Sequence, residues 1–119
     1  IYTYISFKIE RVDAKGKKIM PAVCRGNSVD SDLAHCSTPN RSGCSNDTFV
    51  EGTGISRETD ANTSHDTDIV IPCIAHSASI VTGSTTVFIN GKGCGRVGDD
   101  VGPDCTAVAT GSAYVFAGG

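Results

Sequence analysis

The sequence predicts an all-β domain assembled from short hairpin repeats. Three features point that way. The 119 residues include 14 Gly and four Pro, with no Trp and a single Met. Ser, Thr, Asn and Asp fill much of the rest, a composition that suits short strands joined by tight turns and argues against long helices. The chain also copies itself. A shift of 39 residues lays FVEGTGISRETD (49–60) over FINGKGCGRVGD (88–99), matching Phe49 to Phe88, Gly52 to Gly91, Gly54 to Gly93, Arg57 to Arg96 and Asp60 to Asp99. A truncated third copy, TGSAYVFAGG (110–119), lies over TGSTTVFING (82–91). Self-similarity of this kind marks one supersecondary unit used several times. Finally, Asn90-Gly91 after the apolar run Val87-Phe88-Ile89 is a strong hairpin turn signal, because both turn positions need positive φ.

Residues 1–19 stand apart. YTYISFKIERV alternates polar and apolar residues and runs into DAKGKK, which predicts a strand or hairpin with a turn. This N-terminal extension carries no copy of the repeat. The repeated domain is assigned to 20–119, with Met20-Pro21 as its natural start. Each unit reads as a strand, a Gly turn and a second strand. Gly91, Gly93, Gly95 and Gly98 directly follow the apolar run Val87-Phe88-Ile89, an order that superficially suits a phosphate-cradling loop. That loop needs a helix after the glycines, and RVGDDVGPD breaks one.

Bulk properties narrow the function. The length is that of one domain with a thin core, and a core this light calls for a staple, either disulfides or a metal. The net charge is −3, the pI is about 5.4, and no basic patch stands out beyond Lys15, Lys17 and Lys18. Nucleic acid is therefore not an expected partner. No run of 18 apolar residues could span a bilayer. The start IYTYISFKIERV lacks the basic and continuous apolar regions of a secretory signal. Six cysteines (Cys24, Cys36, Cys44, Cys73, Cys94, Cys105) would allow three bridges whose pairing the sequence does not choose.

The chemistry concentrates on the three histidines, His35, His65 and His76, each in a loop between strand-like stretches. Cys73-x-x-His76 is a workable metal-ligand pair. Three imidazoles and one thiolate fill a zinc tetrahedron, and such a closed site is structural because no position is left for substrate. Spacing alone leaves two alternatives open: the histidines are solvated loop residues, or Cys36, beside His35, competes with Cys73 as the thiolate. Enzymatic motifs are missing. There is no HExxH helix and no GxSxG elbow. Ser77 is only a sequence neighbour of His76, which gives no triad geometry. None of Glu10, Glu51 and Glu58 adjoins the histidines to act as a zinc-hydrolase base. Asp66 and Asp68, like Asp99 and Asp100, read as solvated turn residues. Arg57 and Arg96, at matching repeat positions, read as structural ties to Asp60 and Asp99 through bidentate pairs.

MPAVCR at 20–25, the two F-[VI]-x-G-x-G-x-x-R-x-x-D repeats, PCIAH and the closing TGSAYVFAGG together resemble the PAAR-repeat proteins over residues 20–119. The C-terminal half, IVTGSTTVFINGK followed by RVGD, carries most of the likeness. The match departs from the family at Gly93-Cys94-Gly95-Arg96, where Pro-Ala-Ala-Arg is usual, at Glu58-Thr59-Asp60, and at GNSVDSD after Arg25. The resemblance implies a non-enzymatic structural role. PAAR proteins cap the spikes of contractile injection machines, type VI secretion systems and contractile phage tails. Their fold is a small cone of short strands with pseudo-three-fold character, a broad base on a trimeric β-helical spike and a metal-stabilised apex facing the target membrane. It also implies a zinc ion held by His35, His65, Cys73 and His76; by ligand softness, iron competes with zinc at such a His/Cys site.

Several expectations follow from that resemblance. The chain is a monomer by itself and binds a homotrimeric spike at one copy per trimer. It meets the target cell membrane transiently. It resides at the tip of a phage baseplate spike, or in a bacterial cytoplasm before export with the secretion spike, where thiols stay reduced. Phe49, Val50, Phe88, Ile89, Val115 and Phe116, in the matching apolar runs, divide between core and spike contact. The rival readings are a secreted, disulfide-stabilised β-rich binding module and a small zinc hydrolase.

Overall fold

The computed structural model of the chain describes residues 3–4, 20–34, 38–66, 75–103 and 105–118. Among the described residues there is no helix, as the composition predicts. The strands are β1 (Thr3–Tyr4), β2 (Asp32–Ala34), β3 (Thr48–Val50), β4 (Thr53–Gly54), β5 (His65–Asp66), β6 (Ala75–His76), β7 (Ser79–Ile80), β8 (Phe88–Ile89), β9 (Lys92–Gly93), β10 (Val101–Gly102) and β11 (Cys105–Val108). Apart from β1, which lies parallel to β3, the paired strands are antiparallel.

The sequence repeat becomes a repeat of pairing. In β3–β4, Phe49 faces Gly54 and Val50 faces Thr53. The same shift of 39 residues gives β8–β9, where Phe88 faces Gly93 and Ile89 faces Lys92. The turns match too: Glu51 and Gly52 have φ of 53° and 80°, Asn90 and Gly91 of 55° and 77°. Two successive positive φ values are what a tight two-residue hairpin needs, so the Asn90-Gly91 turn is as predicted.

The third hairpin is split across the chain. Phe116 bridges Ala22, the Val23 amide donates to Val115 O at 2.9 Å, and the Ala117 amide donates to Pro21 O at 3.0 Å. These are the counterparts of Ile55 N to Thr48 O (3.0 Å) and Cys94 N to Val87 O (2.9 Å) in the other two units. A shift of 28 residues carries Phe88 to Phe116, so the closing copy supplies one strand and residues 21–23 supply its partner.

The three units close into a ring. The Cys24 amide donates to Gly95 O (3.0 Å), the Gly95 amide to Ser56 O (2.9 Å) and the Ser56 amide to Cys24 O (3.0 Å). The flanking bridges, Val23 with Arg96, Arg25 with Ile55, and Arg57 with Cys94, run round in the same cyclic order. This is a pseudo-three-fold axis. The axial residues are small because they converge. A Cβ on Gly95 would lie 2.6 Å from Ile80 Cδ1, 2.7 Å from Ser56 O and 2.8 Å from Cys24 Sγ. Around the axis the core is built from equivalent sets: Val23, Ile55 and Cys94, then Val50, Ile89 and Ala117, with Val115 and Val87 packed beside them.

Side chains repeat the symmetry. Ser45, Ser84 and Ser112 each accept, on Oγ, the amides two and three residues onward. Each hydroxyl then donates to the turn position of a neighbouring hairpin: Asn90 Oδ1 at 2.6 Å, Gly118 O at 2.5 Å, and Glu51 Oε1. The predicted ties of Arg57 to Asp60 and Arg96 to Asp99 are present and bidentate, with the arginine amide bound to the same carboxylate. Asp99 is therefore a buried ion-pair partner, not a solvated turn residue. A third pair, Arg25 with Asp30, has the same geometry and was not predicted. There five residues of sequence separate the partners instead of three, which hides the match.

Of the six residues proposed to divide between core and partner contact, Val50, Ile89, Val115 and Phe116 are buried. Phe49 is half-buried, and Phe88 is 58 % exposed. Cys24 belongs to a second core with Ala78, Ile80, Val101 and Val108. Ile80, Val101 and Val108 belong to β7, β10 and β11, and Ala78 follows β6, which with β5 carries His65 and His76.

Candidate metal centre

The β5–β6 pairing places His65 directly opposite His76. Same-face partners across an antiparallel pair approach closely, and here the two Nε2 atoms are 2.9 Å apart, with ring centroids at 4.4 Å. The third member is Cys105, at the start of β11. Its sulfur lies 3.0 Å from His65 Nε2 and 3.8 Å from His76 Nε2. Among the described residues this is the group of His, Cys, Asp and Glu side chains able to hold a metal ion.

The donors fit such an ion. On a tetrahedral zinc, with nitrogen about 2.0–2.1 Å and sulfur about 2.3 Å from the metal, neighbouring donors stand roughly 3.3–3.6 Å apart. The observed separations bracket that spacing. His65 Nδ1 lies 2.9 Å from Thr63 O. A carbonyl only accepts, so Nδ1 carries the proton and, in the neutral ring, Nε2 presents its lone pair to the cluster. That second contact is the usual means of orienting a ligand histidine. His65 is buried, while His76 and Cys105 are partly exposed, so the cluster sits at the edge of the second core.

Beneath it runs a buried polar column. Arg41 and Asp32 are both fully buried, and Arg41 Nη1 donates to Asp32 Oδ2 at 2.6 Å. Arg41 also donates from Nε to Ser56 Oγ at 3.2 Å and from Nη2 to Asp60 O. Asn62 Nδ2 donates to the same Asp32 Oδ2 at 2.9 Å and reaches Cys105 Sγ at 3.9 Å. The column thus joins the axial residue Ser56 to the His/Cys cluster. Asn62 is a buried structural residue here.

Two of the three expected histidines are thus brought together. His35, Cys36 and Cys73 lie outside the described residues. The thiol that meets His65 and His76 among those described is Cys105, which sequence reasoning did not select. Its approach depends on the β2–β11 register, where Cys105 faces Ala34, the residue before His35. Nothing local to GPDCTAV signals this; only the long-range pairing does. The other described thiols are differently placed. Burial pushes the Cys24 thiol well above its ordinary value and that of Cys94 up to about 12, and burial also raises Cys44. None of these three belongs to the group formed by His65 and His76.

The glutamates of the described region are engaged elsewhere. Glu51 takes Ser112 and faces Arg25 at 3.4 Å, and Glu58 accepts the Gly83 amide at 3.1 Å. Both sit on the ring of repeats.

The chain matches no protein-family model, and a search of curated proteins finds no match.

Proposed function

We propose that this chain is a structural, non-enzymatic tip protein of the PAAR-repeat type. It caps the blunt end of a homotrimeric β-helical spike in a contractile injection machine, with a metal ion fixing the end opposite the spike. The observation that carries the reading is the closed pseudo-three-fold ring. One chain that presents three equivalent hairpins can match the three copies of a homotrimer, which a single asymmetric surface does not do. The hairpin rim would face the spike, with Phe88 offering exposed apolar surface there.

The His65, His76 and Cys105 cluster supports the second half of the reading. A point that meets a membrane is nearly all surface and has little core, so a metal crosslink holds its loops. Zinc is the proposed ion, with iron as a competitor at a His/Cys site. His35, which follows Ala34 in sequence, is the proposed fourth ligand. In this assignment Cys105 replaces Cys73 as the thiolate. The bound ion would supply a crosslink, not a reaction.

The test is native mass spectrometry of the chain purified without added metal, alone and mixed with a candidate trimeric spike. The expected result is one zinc per chain, and one chain per spike trimer. Metal-free protein would remove the apex from the proposal, and three chains per trimer would refute the symmetry match. Loss of metal in His35→Ala and Cys105→Ser, with retention in Cys73→Ser, would establish the ligand set.

A further inference from the structure

The amide of Asn62 has only one workable orientation. Its Oδ1 accepts the Ala78 backbone N–H at 2.8 Å, and its Nδ2 donates to Asp32 Oδ2 at 2.9 Å. Flipping the amide would set oxygen against a carboxylate and N–H against N–H. The residue is 3 % exposed, so no solvent relieves either clash. The remaining Nδ2 hydrogen is the one directed at Cys105 Sγ, 3.9 Å away. Asp32 is fixed in turn by Arg41, which donates to that same Oδ2. The other oxygen, Asp32 Oδ1, is buried without a hydrogen-bond partner among the described residues. Both charge-assisted bonds therefore converge on Oδ2, and the carboxylate cannot rotate without losing them.

We propose that Asn62, locked by Asp32 and Arg41, is the positioning residue of the metal centre: it aims an N–H at the Cys105 sulfur and moderates that sulfur's donation to the ion. The inference rests on the reading of His65, His76 and Cys105 as metal ligands. An N–H directed at a thiolate withdraws charge from the sulfur and holds its rotamer, as outer partners of metal ligands do. His65 is oriented separately, through Thr63 O, whereas the column reaches the sulfur.

Cobalt(II), a spectroscopic stand-in for zinc, tests this with the full chain. Wild-type protein should take up one cobalt and show a thiolate-to-cobalt charge-transfer band. In Asn62→Leu the band should move to lower energy, because the sulfur has lost its N–H, and zinc affinity measured by chelator competition should fall about 10–100-fold. Asp32→Asn, which keeps the volume but frees the Asn62 amide, should shift the band in the same direction by less, and it serves if Asn62→Leu does not fold. An unmoved band and unchanged affinity in the folded variants would overturn the proposal and leave the metal centre standing, whatever happens to thermal stability. A wild-type protein with no thiolate band would overturn the metal reading and this inference together.

Discussion

The ring and the histidine end of this protein reach order by opposite means. The ring uses one set of contacts three times: an axial amide-to-carbonyl bond, a serine capping its own turn, and a bidentate Arg–Asp pair. Each contact is modest, and each has two counterparts. The histidine end uses contacts that occur once. Arg41 to Asp32 to Asn62 to Cys105 is a single file of buried polar groups, with no copy elsewhere among the described residues. Redundancy protects the first region. The second depends on every link, since a buried polar group that loses its partner bears the full cost of its desolvation.

That contrast is open to measurement. The largest effect is expected at Arg41→Leu, which leaves Asp32 charged and unpaired in the interior. Chemical denaturation should show a loss of roughly 3–5 kcal/mol. Arg57→Leu removes a pair that is part-exposed and has two equivalents, and should cost about 1–2 kcal/mol. Equal losses would mean that repetition confers no tolerance.

Metal removal should come next. At a free metal concentration about a thousand times Kd, binding stabilises the folded state by about 4 kcal/mol. Chelation should therefore lower Tm, and His76→Ala should melt where chelated wild type melts, with or without metal. A chelated wild type with unchanged Tm would separate the cluster from the fold. At the axis, Gly95→Ala should cost about 1–3 kcal/mol by overpacking against Ser56 O and Cys24 Sγ. It should leave zinc affinity unchanged, and a change would reveal coupling between the two regions.

The smallest expected effect is a pH dependence on the exposed rim. Hydrogen bonds from Asn90, Ser45 and Thr48 hold the Asp47 carboxyl below the ordinary carboxylate range. A lowered folded value means the unfolded chain takes the proton first. The stabilisation is complete above the ordinary range and disappears as pH falls through the lowered value. The stability difference between wild type and Asp47→Asn should be visible at neutral pH and vanish in acid. A difference that persists unchanged in acid would show that the carboxylate charge plays no part.

The two regions also differ in how far they can be read from sequence. The hairpins at 48–54 and 88–93 are legible because the copies are tandem and the turn residues demand positive φ. Arg57–Asp60 and Arg96–Asp99 are legible for the same reason. Arg25–Asp30 is not, because two extra residues break the spacing while leaving the geometry intact. The third hairpin is half legible: the closing copy is recognisable, but its partner strand lies at the other end of the domain. At the histidine end, His65 and His76 follow from their chemistry. Cys105 does not, because it stands 40 residues from His65 and arrives through the β2–β11 register. Arg41 is invisible as a core residue, since arginine is almost never fully buried unless paired, and its partner Asp32 is fixed only by the fold.

The split third hairpin has a consequence for connectivity. Gly118 stands where Glu51 and Asn90 stand in the other two units, and a Cβ placed on it would lie 3.6 Å from Met20 Cγ. The two ends of the repeated domain thus adjoin at the position of the missing turn. The order in which the backbone visits the units is then a matter of where the loop was cut. A circular permutant that links Gly118 to Met20 by a short turn, and opens between Asn90 and Gly91, contains the same three hairpins in the same cyclic arrangement.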